Sequence, residues 1–110
     1  MMTDFEQLLK QRRSIRDFLD KPVPESLILQ LIEDSCLAPS AANNQPWHFI
    51  VVLDKEMIKA MLAAQETLAS TLAGAGETAA NHGDTLTEDL CIARGQIHEK
   101  YAWMLRAHLR

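Results

Sequence analysis

Two stretches of this chain carry side chains suited to holding a ligand. The first is Arg12-Arg13-Ser14-Ile15-Arg16-Asp17-Phe18, where three arginines and a serine fall within five residues. That density makes a cationic, hydrogen-bonding patch which Asp17 and Asp20 offset only in part. The second is Ala38-Pro39-Ser40-Ala41-Ala42-Asn43-Asn44-Gln45-Pro46-Trp47. Pro39 and Pro46 break regular structure at its two ends. Between them Ser40, Asn43, Asn44 and Gln45 offer a hydroxyl and three amides, and so both donors and acceptors. Such a loop is a sensible place to hold a planar polar ligand. Taken singly, each stretch also has a plainer reading. The arginines suit a solvated helix end, and the loop suits an ordinary turn between a helix and a strand.

The elements that must position these stretches follow from periodicity. Phe5, Leu8 and Leu9 lie at i, i+3 and i+4, which predicts a first amphipathic helix from about Asp4 to Arg12. Asp4 stands near its start and the basic residues near its end, as the helix dipole prefers. Lys21-Pro22-Val23-Pro24-Glu25 then reads as a linker, with Pro24 suited to the first turn of a second helix. Leu27, Ile28, Leu31, Ile32 and Cys36 give that helix a wide apolar face, ending before Pro39. At 1.5 Å per residue it spans about 20 Å and carries the chain from the arginine patch to the polar loop. The two patches can therefore meet around one ligand.

Trp47 to Leu53 is a seven-residue apolar run interrupted only by His48, with Ile50, Val51 and Val52 β-branched in succession. Its composition predicts a strand buried on both faces. Asp54 is a suitable N-cap for a third helix running to about Ala73. The small and polar stretch from Gly74 to Asp84 reads as a flexible loop. Thr85 and Glu88 match a capping box opening a fourth helix to about Ala107. One buried-type strand needs partners for its backbone groups. Ile15 to Leu19 offers a short second strand. Otherwise another chain completes the sheet, or the chain is part of a longer domain, which is the reading favoured here.

Composition narrows the function classes. At 110 residues the chain is one domain or part of one, and a 47% hydrophobic content fits a globular protein. A net charge of −4 argues against broad nucleic-acid binding. No apolar stretch approaches the roughly 18 residues that span a bilayer. The first six residues have no basic region followed by an apolar one, and Cys36 and Cys91 read most simply as reduced thiols. The expectation is a soluble cytoplasmic protein without nucleic-acid or membrane partners.

In order and spacing, the arginine motif followed by the proline-bounded loop resembles the nitroreductase family of FMN-dependent oxidoreductases. The resemblance covers about Phe5 to Leu53; the fourth helix carries no diagnostic residue. It implies an α+β fold with a mixed, mainly antiparallel sheet flanked by helices, and a homodimer with FMN at the subunit interface. Family members continue with further strands and a later flavin-contacting segment, so residues 1–110 are expected to be the N-terminal part of a single nitroreductase-like domain. By match, Arg12, Arg13, Ser14 and Arg16 would be cofactor contacts. Arg12 and Ser14 would face the phosphate and ribityl side, and Arg16 the pyrimidine edge of the flavin ring. Pro39, Ser40, Asn43 and Gln45 would line the pocket, partly from the facing subunit. Trp47 would anchor the loop. The implied reaction passes hydride from NAD(P)H through flavin to a nitroaromatic, a quinone or a similar electron-poor small molecule, and requires neither a catalytic triad nor a general base; no metal site is expected. The alternative is a non-catalytic fragment acting at most as a dimerising or interaction module.

Overall fold

A computed structural model describes residues 4–109. Four helices make up its regular structure: α1 (Asp4–Gln11), α2 (Glu25–Ser35), α3 (Lys55–Asn81) and α4 (Thr85–Ala107), with one 3₁₀ turn at Ala41–Asn43. The first six residues, read above for a leader, lie partly outside that range.

Local chemistry explains where each helix starts and stops. Asp4 and Glu6 occupy the first turn of α1 and Lys10 its last, complementing the dipole at both ends. Pro24 stands just before α2 with φ −58°, and its carbonyl accepts from the N–H groups of Leu27 and Ile28. The missing proline N–H costs nothing there, because the first N–H groups of a helix have no partner within it. The Asp54 carboxylate accepts from the Glu56 N–H at 3.0 Å, which makes it the N-cap expected for α3.

Helix α3 does not stop at Ala73. It runs on to Asn81, so most of the stretch expected to be a loop is helical. Two physical terms override the glycines at 74 and 76. Alanines at 73, 75, 79 and 80 favour the helix. Gly76 is also buried against α4, where a Cβ would meet the Cys91 Cβ at 3.3 Å. The turn itself is only His82, Gly83 and Asp84. Gly83 takes φ +71°, its N–H bonds the Ala80 carbonyl, and the Asp84 N–H bonds the Ala79 carbonyl. This is the left-handed glycine stop that satisfies two otherwise orphaned carbonyls. Asp84 then caps α4 at once, its carboxylate accepting from the Thr87 N–H at 3.1 Å and the Thr87 hydroxyl at 2.6 Å. The cap therefore lies one residue before the expected Thr85, which becomes the first helical residue.

The result is an antiparallel hairpin of two long helices. Gly76 faces Cys91 and Leu72 faces Gly95, so each step of four along α3 matches a step of four back along α4. Its seam is made of small residues: Gly76, Ala79, Cys91 and Ala102 are the buried ones on these helices. Further along, His98 Nδ1 pairs with Gln65 Oε1 at 2.6 Å, and Arg106 bonds Glu66 at 2.7 Å. Among the described residues, α3 with α4 is the only helix pair in contact.

The expected α+β fold with a mainly antiparallel sheet is overturned: the described residues contain helices and connecting segments and no strand. A strand exists only where a neighbour accepts and donates its ladder hydrogen bonds. Trp47–Leu53 has no such neighbour among the described residues, and Ile50 at its centre is 91% exposed. Ile15–Leu19 does not pair with it either, because that segment lies against the end of α4.

Candidate functional site

The arginine segment leaves α1 and crosses to α2 without regular structure. Its guanidinium groups have different neighbours. Arg13 donates to the carbonyls of Lys10 at 3.2 Å and Arg12 at 2.9 Å, so it closes the C-terminal end of α1. Arg12 instead donates to the Ser14 hydroxyl at 3.3 Å, a contact that sets a forked donor and a hydroxyl side by side on the surface. Arg16 lies with its guanidinium carbon 5.9 Å from the ring centre of Trp103 on α4. Two residues on, Phe18 stacks on His108 with ring centres 4.8 Å apart and planes 10° from parallel. Between segment and helix is a cavity of about 250 Å³ whose lining includes Ser14, Arg16, Trp103 and His108. Its lining is largely apolar and aromatic, with Ile15, Phe18, Met104 and Ala107 beside the rings and with Arg16 supplying a guanidinium that can meet an anion.

The proline-bounded loop is held by its own hydrogen bonds. The Ser40 hydroxyl accepts from the Gln45 N–H at 3.0 Å, and the Ser40 carbonyl accepts from the Asn43 N–H at 3.0 Å. Ala42, Asn43 and Gln45 adopt φ values of 52°, 52° and 49°. Left-handed backbone costs non-glycine residues roughly 1–2 kcal/mol each, least for asparagine, and such strain concentrates where loops bind ligands. The turn leaves the side-chain amides of Asn43 and Gln45 exposed, with no hydrogen-bond partner among the described residues. Trp47 is half-buried beside it.

The two stretches do not meet within one chain by any hydrogen bond or ion pair among the described residues. The arginine side gathers Ser14 and Arg16 into the cavity and leaves Arg12 beside it. Pro39, Ser40, Asn43 and Gln45 form their own turn. Trp103 and His108 went unrecognised as site residues from sequence, because ring contacts across about 90 positions leave no local spacing to read. Among the described residues no cluster of three His, Cys, Asp or Glu side chains is placed to hold a metal. Cys36 and Cys91 are free thiols, and no described helix is long and apolar enough to cross a membrane.

Comparison with known proteins gives a family match. The profile of the Nitroreductase family matches residues 9–107. A protein of Archaeoglobus fulgidus, bearing the provisional name NADH dehydrogenase/NAD(P)H nitroreductase, is 44% identical over 63 residues, 57% of this chain and 36% of its own length. A protein of Methanothermobacter thermautotrophicus with the same provisional name is 45% identical over 56 residues, 51% of this chain and 29% of its own. The 4-nitrobenzoate reductase of Pseudomonas putida is 38% identical over 61 residues, 54% and 27% of the two chains. The chain thus spans about a third of the length of the curated relatives it matches. No solved structure gives a significant match.

Proposed function

The chain belongs to the nitroreductase family, and from that premise we propose that it serves an FMN-dependent oxidoreductase drawing on NAD(P)H and acting on electron-poor acceptors such as nitroaromatics or quinones. The observation that carries the reading is the pair of Arg12 and Ser14. Their guanidinium and hydroxyl lie 3.3 Å apart, both are exposed, and Arg12 forms no ion pair among the described residues. A phosphate dianion accepts from such a pair through charge-assisted hydrogen bonds, so these residues fit the phosphate end of FMN. When bound, FMN would supply the hydride chemistry itself.

The protein's own groups would bind and orient. Arg12 and Ser14 would hold the phosphate and ribityl side. Arg16 would place positive charge at the pyrimidine edge of the ring, favouring the state in which that edge is negative. Pro39, Ser40, Asn43 and Gln45 would line the pocket, with exposed amides to bond a planar polar ring. Because no hydrogen bond or ion pair joins that loop to the arginine segment among the described residues, a homodimer supplying the loop from the facing subunit suits the arrangement. A cytoplasmic setting, and a single domain continuing beyond these residues, go with the same reading.

A second reading is favoured by one observation. The described residues form no sheet and the accessible surface is 9385 Å², against about 6,100 Å² for a compact monomer of this mass. On that reading the chain is a non-catalytic interaction module. Titrating FMN into the chain while following flavin fluorescence and molecular size separates the two. Saturable quenching, weakened about tenfold or more in Arg12→Ala as expected for a lost charge-assisted hydrogen bond, supports the flavin site. Ser14→Ala should weaken it less. Absent quenching, or quenching indifferent to both substitutions, leaves the interaction module.

A further inference from the structure

We propose that Trp103, near the end of α4, is a positioning residue that holds the Arg16 guanidinium in place for an anionic ring edge. The inference rests on Arg16 being a flavin contact, and it extends the site to a helix on which sequence reading found nothing diagnostic.

Arg16 lies in a segment with no helical ladder to fix it. Among the described residues no hydrogen bond or ion pair is seen for its side chain, and its defined neighbour is the Trp103 ring at 5.9 Å. Stacking engages the face of a guanidinium and leaves its N–H groups, which lie in its plane, free to donate. An arginine held by a ring has therefore lost part of its rotamer freedom without losing its capacity for an anion. Trp103 can serve as that platform because it belongs to a helix whose other face is locked into the hairpin seam at Ala102 and Cys91. The stacked pair of Phe18 and His108 pins the same segment two residues further on, so the backbone carrying Arg16 is fixed on its C-terminal side. Asp17, beside Arg16, has an interaction of its own. On α4, Arg106 is engaged with Glu66. Trp103 stays 45% exposed, so the contact with Arg16 is reached by solvent.

The test is FMN affinity in a double-mutant cycle, with α-helical circular dichroism confirming that each variant folds. Because the contact is already made without ligand, the strength of an exposed cation–π pair sets an upper bound of about two- to fivefold on the change in affinity. Trp103→Leu, which stays apolar but removes the π face, should weaken FMN binding by up to about that factor. Trp103→Phe should recover most of it. In an Arg16→Ala background Trp103→Leu should add nothing, because the residue acts only through Arg16. Equal losses in both backgrounds, or no loss in either, overturn the proposal.

A second arm works without flavin. With Trp47→Phe, Trp103 is the sole tryptophan emitter. Arg16→Ala should then change both its emission and its accessibility to acrylamide. Unchanged emission and quenching overturn the positioning role. Changed emission in a chain that does not bind FMN leaves the positioning standing and removes the flavin reading instead.

Discussion

A guanidinium that already donates to carbonyl oxygens has less to offer an anion than one whose donors face solvent, and this separates Arg13 from Arg12. Arg13 closes α1 through the carbonyls of Lys10 and Arg12, whereas Arg12 points to a hydroxyl. We expect Arg13→Ala to fray α1, seen as faster amide exchange at its last turn, while changing FMN affinity less than about threefold, the equivalent of about 0.7 kcal/mol, because its donors are engaged with helix carbonyls. An effect as large as that of Arg12→Ala would make Arg13 a cofactor contact as well. Asp84 makes a second point at this scale. The Thr87 hydroxyl and, next, its N–H donate to the Asp84 carboxylate and hold it below its ordinary range. A depressed folded value means stabilisation fully present above the unfolded carboxylate range, near about pH 4, and lost as pH falls through the lower folded value. Helical circular dichroism should therefore drop as Asp84 protonates. In Asp84→Asn, which caps without titrating, that component should vanish. If it persists, another carboxylate is responsible.

The hairpin shows two glycines of one helix doing opposite things. Gly74 has open space where a side chain would go, whereas a Cβ on Gly76 would meet the Cys91 Cβ at 3.3 Å. Gly74→Ala should stabilise α3 by about 0.5–1 kcal/mol through backbone entropy alone. Gly76→Leu should destabilise the hairpin by about 1–3 kcal/mol or more through overpacking. Thermal melts of the two variants should shift in opposite directions, and a neutral Gly76→Leu would mean that the seam is loose there. The same pair explains what was legible in the sequence. Single-helix features were readable: the apolar spacing of α1 and α2, Pro24 at the head of α2, and Asp54 capping α3. Gly74 and Gly76 read as a loop because local propensity cannot see Cys91 across the hairpin. The arginine and loop motifs were legible as chemistry, since residue type and order suffice for that. Trp103 and His108 were not, because their part depends on where α4 ends relative to a distant segment. The sheet failed for another reason. A strand's composition was present in Trp47–Leu53, but its pairing partner is a property of the assembled molecule.

At the scale of the whole molecule, large apolar side chains stay outside, on the connecting segments as well as on the hairpin. Leu19, Leu37, Ile50 and Leu86 are each more than 80% exposed. The radius of gyration is 19.5 Å, where a compact chain of this length has about 13 Å. The accessible surface exceeds that of a compact monomer by roughly 3,000 Å², more than the roughly 800 Å² per partner that a standard interface covers. A chain in this condition should self-associate at micromolar concentration, and the segment best suited to join copies is Trp47–Leu53. Its backbone lacks a ladder, its side chains are apolar and β-branched, and such an unpaired segment templates pairing with another chain. Ile50→Pro removes one ladder donor and adds steric conflict in a paired strand, while lying outside every helix. Analytical ultracentrifugation of that variant should show association weakened about tenfold, the equivalent of roughly 1.4 kcal/mol, with helical circular dichroism unchanged. Association that persists at parental strength would move the joint to the outer faces of the helices. Leu86→Lys, on the α4 surface, would then be the substitution that disrupts it.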